Sequence, residues 1–330
     1  MYFNPYTDQD FLGFFGVFFS RLFLFVTGQL PFESLVSDEV QIMVLTCVAA
    51  TGAMVGTFLI LRRMIMLANA LSHTILLGIV IAFLLCDSLT LPILMVAALI
   101  TGIATTFLTE YLNRVIKLQE DASIGLIFSI FFAFGILLLT LFSRNVHIGT
   151  ELIMGNVDAL QRGDIKIVFS VFGINALLFL LLYYGFKITT FDPNLARAFG
   201  FSPLLFNYLL MVQTSAAAVG AFRAVGVLMV MAFFVLPPLT ARLLTNRLPT
   251  LIGLSALIGA MASAVGVAIS RNILTVWGVG LSTAGIVVIV LGIFYLCAIL
   301  FRSIDFSVRA RYYSLSKPSL KKDEKNCSIG

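Results

Sequence analysis

His73 is one of only two histidines in 330 residues, and it lies inside a long apolar run. Asn69 stands four residues earlier, on the same face of a helix, with Ser72 and Thr74 beside the histidine. If a helix starts just after Arg63, ten residues at ~1.5 Å rise carry His73 about 15 Å in, near the midplane of a bilayer. Ionisable groups at that depth are costly and are therefore functional candidates by default. A neutral imidazole is a good ligand for zinc, manganese or iron, and an amide oxygen is a weak one. The alternative is a histidine hydrogen-bonded to a neighbouring helix, with Asn69 bridging helices. Spacing alone leaves both open.

The remaining chemistry is sparse. Residues 143–165 hold His147, Glu151, Asp158 and Asp164. His147 and Glu151 could chelate a cation if the segment were helical, and a solvated exterior loop accounts for them equally well. Arg223 and Arg271 read as interfacial anchors, while Asn175, Asn207 and Gln213 could line a path or bridge helices. Cys47, Cys86 and Cys297 lie in apolar runs and Cys327 in a polar tail, with no C-x-x-C spacing, so they read as small apolar residues. Neither G-x-x-x-x-G-K-[ST] nor H-E-x-x-H occurs, which excludes nucleotide binding by that loop and metalloprotease chemistry of that type.

The elements that must hold these residues are membrane helices. Hydrophobic residues make up 60% of the chain and charged ones 11%, with a mean hydropathy of +1.06. Soluble domains carry about 25% charged residues, so the 21 basic and 16 acidic groups here are too few for a solvated surface. The expected fold is an all-α polytopic membrane protein. Apolar segments near 40–61, 66–86, 91–112, 122–142, 166–188, 224–244, 249–269 and 278–301 are long enough to cross. Two further segments are 11–30, which contains Arg21, and 204–221, which contains Asn207 and Gln213. That gives eight to ten spans, with ten as the working value and both termini on one side.

Lys and Arg placement sets the orientation. One set of connections holds Arg62, Arg63, Arg114, Lys117, Lys187, Arg197, Arg242 and Arg247, and the tail adds seven more basic residues. The other set holds Arg144, Arg162, Lys166, Arg223 and Arg271. The basic-rich side, with both ends, is expected to be cytoplasmic. The net charge of +5 follows from this bias and implies no nucleic acid. Residues 1–301 form the membrane domain, and 302–330 read as a basic, disordered cytoplasmic tail near anionic lipid.

Three local features stand out. Gly52 and Gly56 have G-x-x-x-G spacing, which lets helices approach closely in lipid. Pro237-Pro238, within a span, should break its hydrogen-bond ladder, which suits a translocation path as well as a passive kink. The segment 191–201 reads as a short capped helix: Asp192 at the N-cap, Pro193 first inside, Gly200 past the end. It is too short to span and presents Leu195, Ala198 and Phe199 as a docking knob for a soluble partner.

The stretches MVGTFLILRRMIMLANALSHTILLG, FDPNLARAFGFSP and VGVLMVMAFFVLPPLTARLLT, in this order, resemble the permeases of ATP-driven zinc/manganese/iron importers. Those are related in fold to the cobalamin and siderophore permeases, and the resemblance runs from about Val40 to Phe301. It implies a transport subunit of the bacterial cytoplasmic (inner) membrane with no enzymatic site and no permanently bound cofactor. The implied partners are cytoplasmic ATPase subunits, a second permease chain and an extracytoplasmic metal-binding protein. It also implies that His73, with Asn69 and Ser72, lines the metal path. The short helix, with Asp192, Pro193, Leu195, Ala196, Arg197, Ala198 and Gly200, corresponds to the coupling helix that fits the ATPase. Relatives usually carry Asp at the position of Asn69 and Pro at that of Leu77; the favoured reading is a heterodimer whose partner supplies the fuller site, and the alternative, open to a homodimer, is a site tuned to release a more tightly delivered metal. Iron or manganese is favoured over zinc, since the site is poor in histidine and lacks cysteine. A stand-alone secondary transporter is the rival, and it would need more titratable groups at mid-depth.

Overall fold

The computed structural model describes residues 5–6, 11–29, 31, 34–86, 91–142, 157–160 and 162–315. No strand occurs among the described residues. The helices are α1 (Phe11–Val26), α2 (Ser37–Leu61), α3 (Ile65–Cys86), α4 (Leu91–Val115), α5 (Glu120–Phe142), α6 (Arg162–Phe191), α7 (Pro193–Ala198), α8 (Pro203–Val225), α9 (Val227–Leu244), α10 (Leu248–Trp277) and α11 (Thr283–Leu315). Eight of them (α2, α3, α5, α6, α8, α9, α10 and α11) are long and apolar enough to cross a bilayer. The less certain segment at 204–221 thus lies within α8. At 25 residues α4 is as long as α2, and short connections on both sides make it the antiparallel neighbour of α3 and α5.

α2 is the centre of the bundle, packed against α6, α8, α9 and α10. Apolar residues cover it all round, as a helix buried on every side requires: Val44, Leu45, Ala49, Ala53, Val55 and Phe58 are fully buried. Its end is closed by paired reverse bonds: Arg63 N–H to Ile60 C=O at 3.1 Å and Met64 N–H to Leu59 C=O at 2.8 Å. That closure puts Arg63 at φ +62, a left-handed position usually given to glycine. Buried Met64 and Leu59 supply the apolar contact that accompanies it.

α1 departs from the expected span over 11–30. It has 16 residues, and a crossing helix needs about 20. The Tyr6 hydroxyl, just before α1, donates to Glu39 Oε1 at 2.9 Å. Arg21, within α1, pairs with the same Glu39 and donates to Ser34 C=O at 3.1 Å. Glu39 is in the first turn of α2. Both side chains therefore reach one end of α2, and α1 adds no crossing. Arg21, an anomaly in an apolar segment, is explained by this buried partner.

α11 continues to Leu315, so residues 302–315, expected to be a disordered tail, are helical. Neither Pro nor Gly interrupts the sequence there. Residues 316–330, with the rest of that expectation, lie outside the described residues.

Candidate functional site

α3 carries the polar cluster expected at mid-depth. Asn69 is exposed on the surface of this chain, and His73, one turn on, is half-buried. The His73 ring packs edge-on to Phe132 at 5.4 Å between centroids and tilts against Phe128 at 5.5 Å. The two phenylalanines, on α5, stack on one another at 5.7 Å. An aromatic wall thus fixes one side of the imidazole while the Asn69 side of the same helical face stays open. The Ser72 side chain lies outside the described residues, as do His147 and Glu151. Met66 extends the face: it is 56% exposed, three residues before Asn69 and seven before His73. A search for polar groups passes over it, although its thioether is a soft ligand. Among the described residues no three His, Cys, Asp or Glu side chains gather as a metal cage, so whatever ion this face meets is met by few ligands.

α7 has the caps read from sequence. Asp192 Oδ1 accepts from the Asn194 N–H at 3.1 Å and the Leu195 N–H at 2.9 Å. Pro193 opens the helix, where its missing donor costs nothing. At the other end Gly200 takes φ +83, with its N–H bonded to Arg197 C=O at 3.0 Å and the Phe201 N–H to Ala196 C=O at 2.9 Å. Only Ala196 is buried, and it seats the helix on α6 and α8. Leu195, Arg197, Ala198 and Phe199 all face outward, with Phe199 67% exposed. The outward side of α7 is therefore a rigid, apolar-tipped knob.

Pro237 and Pro238 do not break their helix: α9 runs continuously through them. Two prolines remove the N–H groups that would bond the carbonyls of Phe233 and Phe234. Those carbonyls abut the glycine strip of α2. A β-carbon at Gly56 would lie 2.1 Å from the Phe234 oxygen, and one at Gly52 would lie 3.0 Å from the Phe233 oxygen. Backbone-to-backbone approach of this kind permits Cα–H···O contacts, which account for the ladder surviving without opening a path. The expected helix break is therefore a close-packed seam.

Several other polar residues have structural partners. Asp158 receives the hydroxyl of Thr283 and its N–H at 3.4 Å, so it caps α11 rather than standing free in a loop. Arg271 faces Asp38 at 3.7 Å beside a polar cavity of about 370 Å³. Asn207 accepts from Arg62. Gln213 is buried with neither amide atom partnered. Arg62 also binds Thr190 Oγ1 at 2.9 Å and Thr189 Oγ1 at 2.7 Å. Burial lowers its pKa to about 10, which leaves it a cation at neutral pH.

The long apolar helices and the scarcity of charge among them are those of a multi-pass membrane protein. The chain belongs to the ABC 3 transport family, whose match covers residues 39–302. It is 40% identical over 302 residues to the "Probable metal transport system membrane protein" of Chlamydia trachomatis serovar D, covering 90% of this chain and 94% of that one. The manganese transport system membrane protein MntD of Bacillus subtilis is 36% identical, over 77% of this chain and 88% of its own. Among solved structures, PsaBC from Streptococcus pneumoniae in complex with Fab superposes with a TM-score of 0.67 at 28% identity. That likeness covers 78% of this chain and 89% of the other.

Proposed function

We propose that this chain is the permease of an ABC importer that moves a divalent transition metal, with the α3 face of Asn69 and His73 on the ion's path. The supporting observation is that face: an open amide and a half-buried imidazole one turn apart, backed by Phe128 and Phe132. Few ligands suit a transient site, because an ion that must leave cannot be held by a full cage. At the open edge Met66 extends the same face, and Ser72 is next to His73 in the sequence. Manganese or iron fits the oxygen and nitrogen of Asn69 and His73, in keeping with a manganese transport relative. A second permease chain facing Asn69 would supply further ligands, and a metal-binding protein outside the membrane would deliver the ion.

The end of the bundle carrying Arg62, Arg63, Arg114, Lys117, Arg197, Arg242 and Arg247 is the cytoplasmic one in this reading. α7 then projects into the cytoplasm toward the ATPase, and closure of the ATPase pair drives alternating access. The inner membrane of a bacterium is the setting. Nine crossings follow when α4 is counted, and Tyr6 sits with Glu39 at the outer end. The N-terminal segment is accordingly outside and α11 ends inside, which replaces the expectation of two cytoplasmic termini.

The test is metal uptake by the assembled transporter in vesicles. His73→Ala should abolish uptake of manganese or iron with the ATPase subunits still bound. Uptake at the wild-type rate would remove His73 from the path.

A further inference from the structure

Arg62 ties three helices together at the end of the bundle where α7 projects. It is the cap residue of α2. Its guanidinium donates from Nε to Thr190, from Nη2 to Thr189 and from Nη1 to the Asn207 side-chain oxygen. It also lies 5.9 Å from the centroid of the Phe186 ring. Thr189 and Thr190 are in the last turn of α6, immediately before Asp192, the cap of α7. Asn207 is in the first two turns of α8, which starts where α7's closing turn ends. The three side-chain partners therefore flank α7 on both sides, and α7 itself packs on α6 and α8.

The choice of residue is informative. Arg62 is half-buried, and among the described residues its hydrogen bonds all go to neutral oxygens, so its partial desolvation is not offset there by a counter-charge. A guanidinium offers something else: a rigid planar fork whose donors have fixed relative directions, so that three acceptors are held in one geometry. Displacement of the α6–α7–α8 corner cannot occur without moving or breaking that fork. On its other side Arg62 terminates α2, which carries the glycine strip packed on α9. The path from corner to core is short and contiguous.

We propose that Arg62 is a positioning residue that transmits movement of α7 to α2, coupling ATPase closure to opening of the membrane path. This rests on the reading of α7 as the ATPase-docking helix.

The experiment uses the complete transporter in vesicles and measures metal transported per ATP hydrolysed, together with co-purification of the ATPase. A residue needed only for folding lowers uptake and stimulated hydrolysis together and leaves their ratio alone. Arg62→Met should instead lower the ratio by about 10-fold or more with the ATPase still bound. Thr189→Val with Thr190→Val, and separately Asn207→Leu, remove acceptors while keeping the arginine, and each should lower the ratio by about 3-fold. A ratio within about two-fold of wild type in Arg62→Met overturns the proposal, as does the same result in both acceptor variants if Arg62→Met fails to assemble. Leu195→Asp on the exposed face of α7 separates the two readings. If that variant keeps the ATPase bound and coupled, the docking role of α7 is wrong. If it loses the ATPase while Arg62→Met stays coupled, docking stands and only the role of Arg62 falls.

Discussion

Gly56→Ala gives the sharpest test of the seam between α2 and α9. The added β-carbon would lie 2.1 Å from the Phe234 carbonyl oxygen, 2.9 Å from its carbon and 3.1 Å from its Cα. Carbon–oxygen contacts settle near 3.3 Å, so the two helices must part by roughly 1 Å. All three obstacles are backbone atoms, and no side-chain rotation relieves the overlap. Overpacking of a close-packed interior costs typically ~1–3 kcal/mol, and an unyielding site belongs at the upper end. Alanine regains ~1 kcal/mol of helix propensity over glycine. The net loss is about 2 kcal/mol. Gly52→Ala, with its nearest oxygen at 3.0 Å, should lose less. Gly292→Ala on α11 meets nothing within 4 Å and should lose nothing. Unfolding of the purified protein in detergent, by heat or by stepwise addition of SDS, ranks the three. Equal stability of Gly56→Ala and Gly292→Ala would refute the account of how the proline-freed carbonyls are accommodated.

Four further outcomes can be checked with the same preparation. Gln213→Leu removes two unpaired buried amide atoms and should raise stability by about 1 kcal/mol or more; a loss would show that the amide has a partner in the membrane. Asp192→Ala removes the cap of α7 and should cost ~1 kcal/mol locally, read as faster hydrogen exchange at Asn194 and Leu195, with unchanged exchange counting against the cap. Glu39→Gln leaves Arg21 facing an amide and should free α1, measured as protease cleavage between residues 11 and 36; a resistant variant would mean that apolar contacts alone hold it. Burial, then the Glu39 carboxylate, push the Tyr6 phenol above its ordinary value of 10.0. Folding thus favours the protonated phenol, so its contribution is intact below pH ~10 and is lost as pH rises further. Tyr6→Phe should remove that alkaline sensitivity from α1 attachment.

Much of this was legible in the chain. Long apolar runs located the spans because a bilayer imposes length directly, and α7 was readable because Asp192, Pro193 and Gly200 act locally. What failed were inferences that needed a partner from elsewhere. Pro237-Pro238 marked a broken helix on local rules, yet Gly52 and Gly56, some 180 residues away, receive the freed carbonyls. Hydropathy counted 11–30 as a span, and only the pairing of Tyr6 and Arg21 with Glu39 shows that it returns to one end. Asn207 read as a path residue or a bridge, and its partner, 145 positions away, makes it a bridge. His73 and Asn69 were found from depth and spacing, while Met66 escaped because its chemistry does not register as polar.

The family match begins at residue 39, and the residue there is the carboxylate that grips α1. Among the described residues, α1 is held to the bundle by the Arg21–Glu39 pair and by apolar packing that includes Phe14 and Phe18. Such an attachment opens at a lower free energy than the bundle, as a separate cooperative unit. α1 is therefore expected to open before the transport core does, baring the Glu39 carboxylate at the bundle's rim.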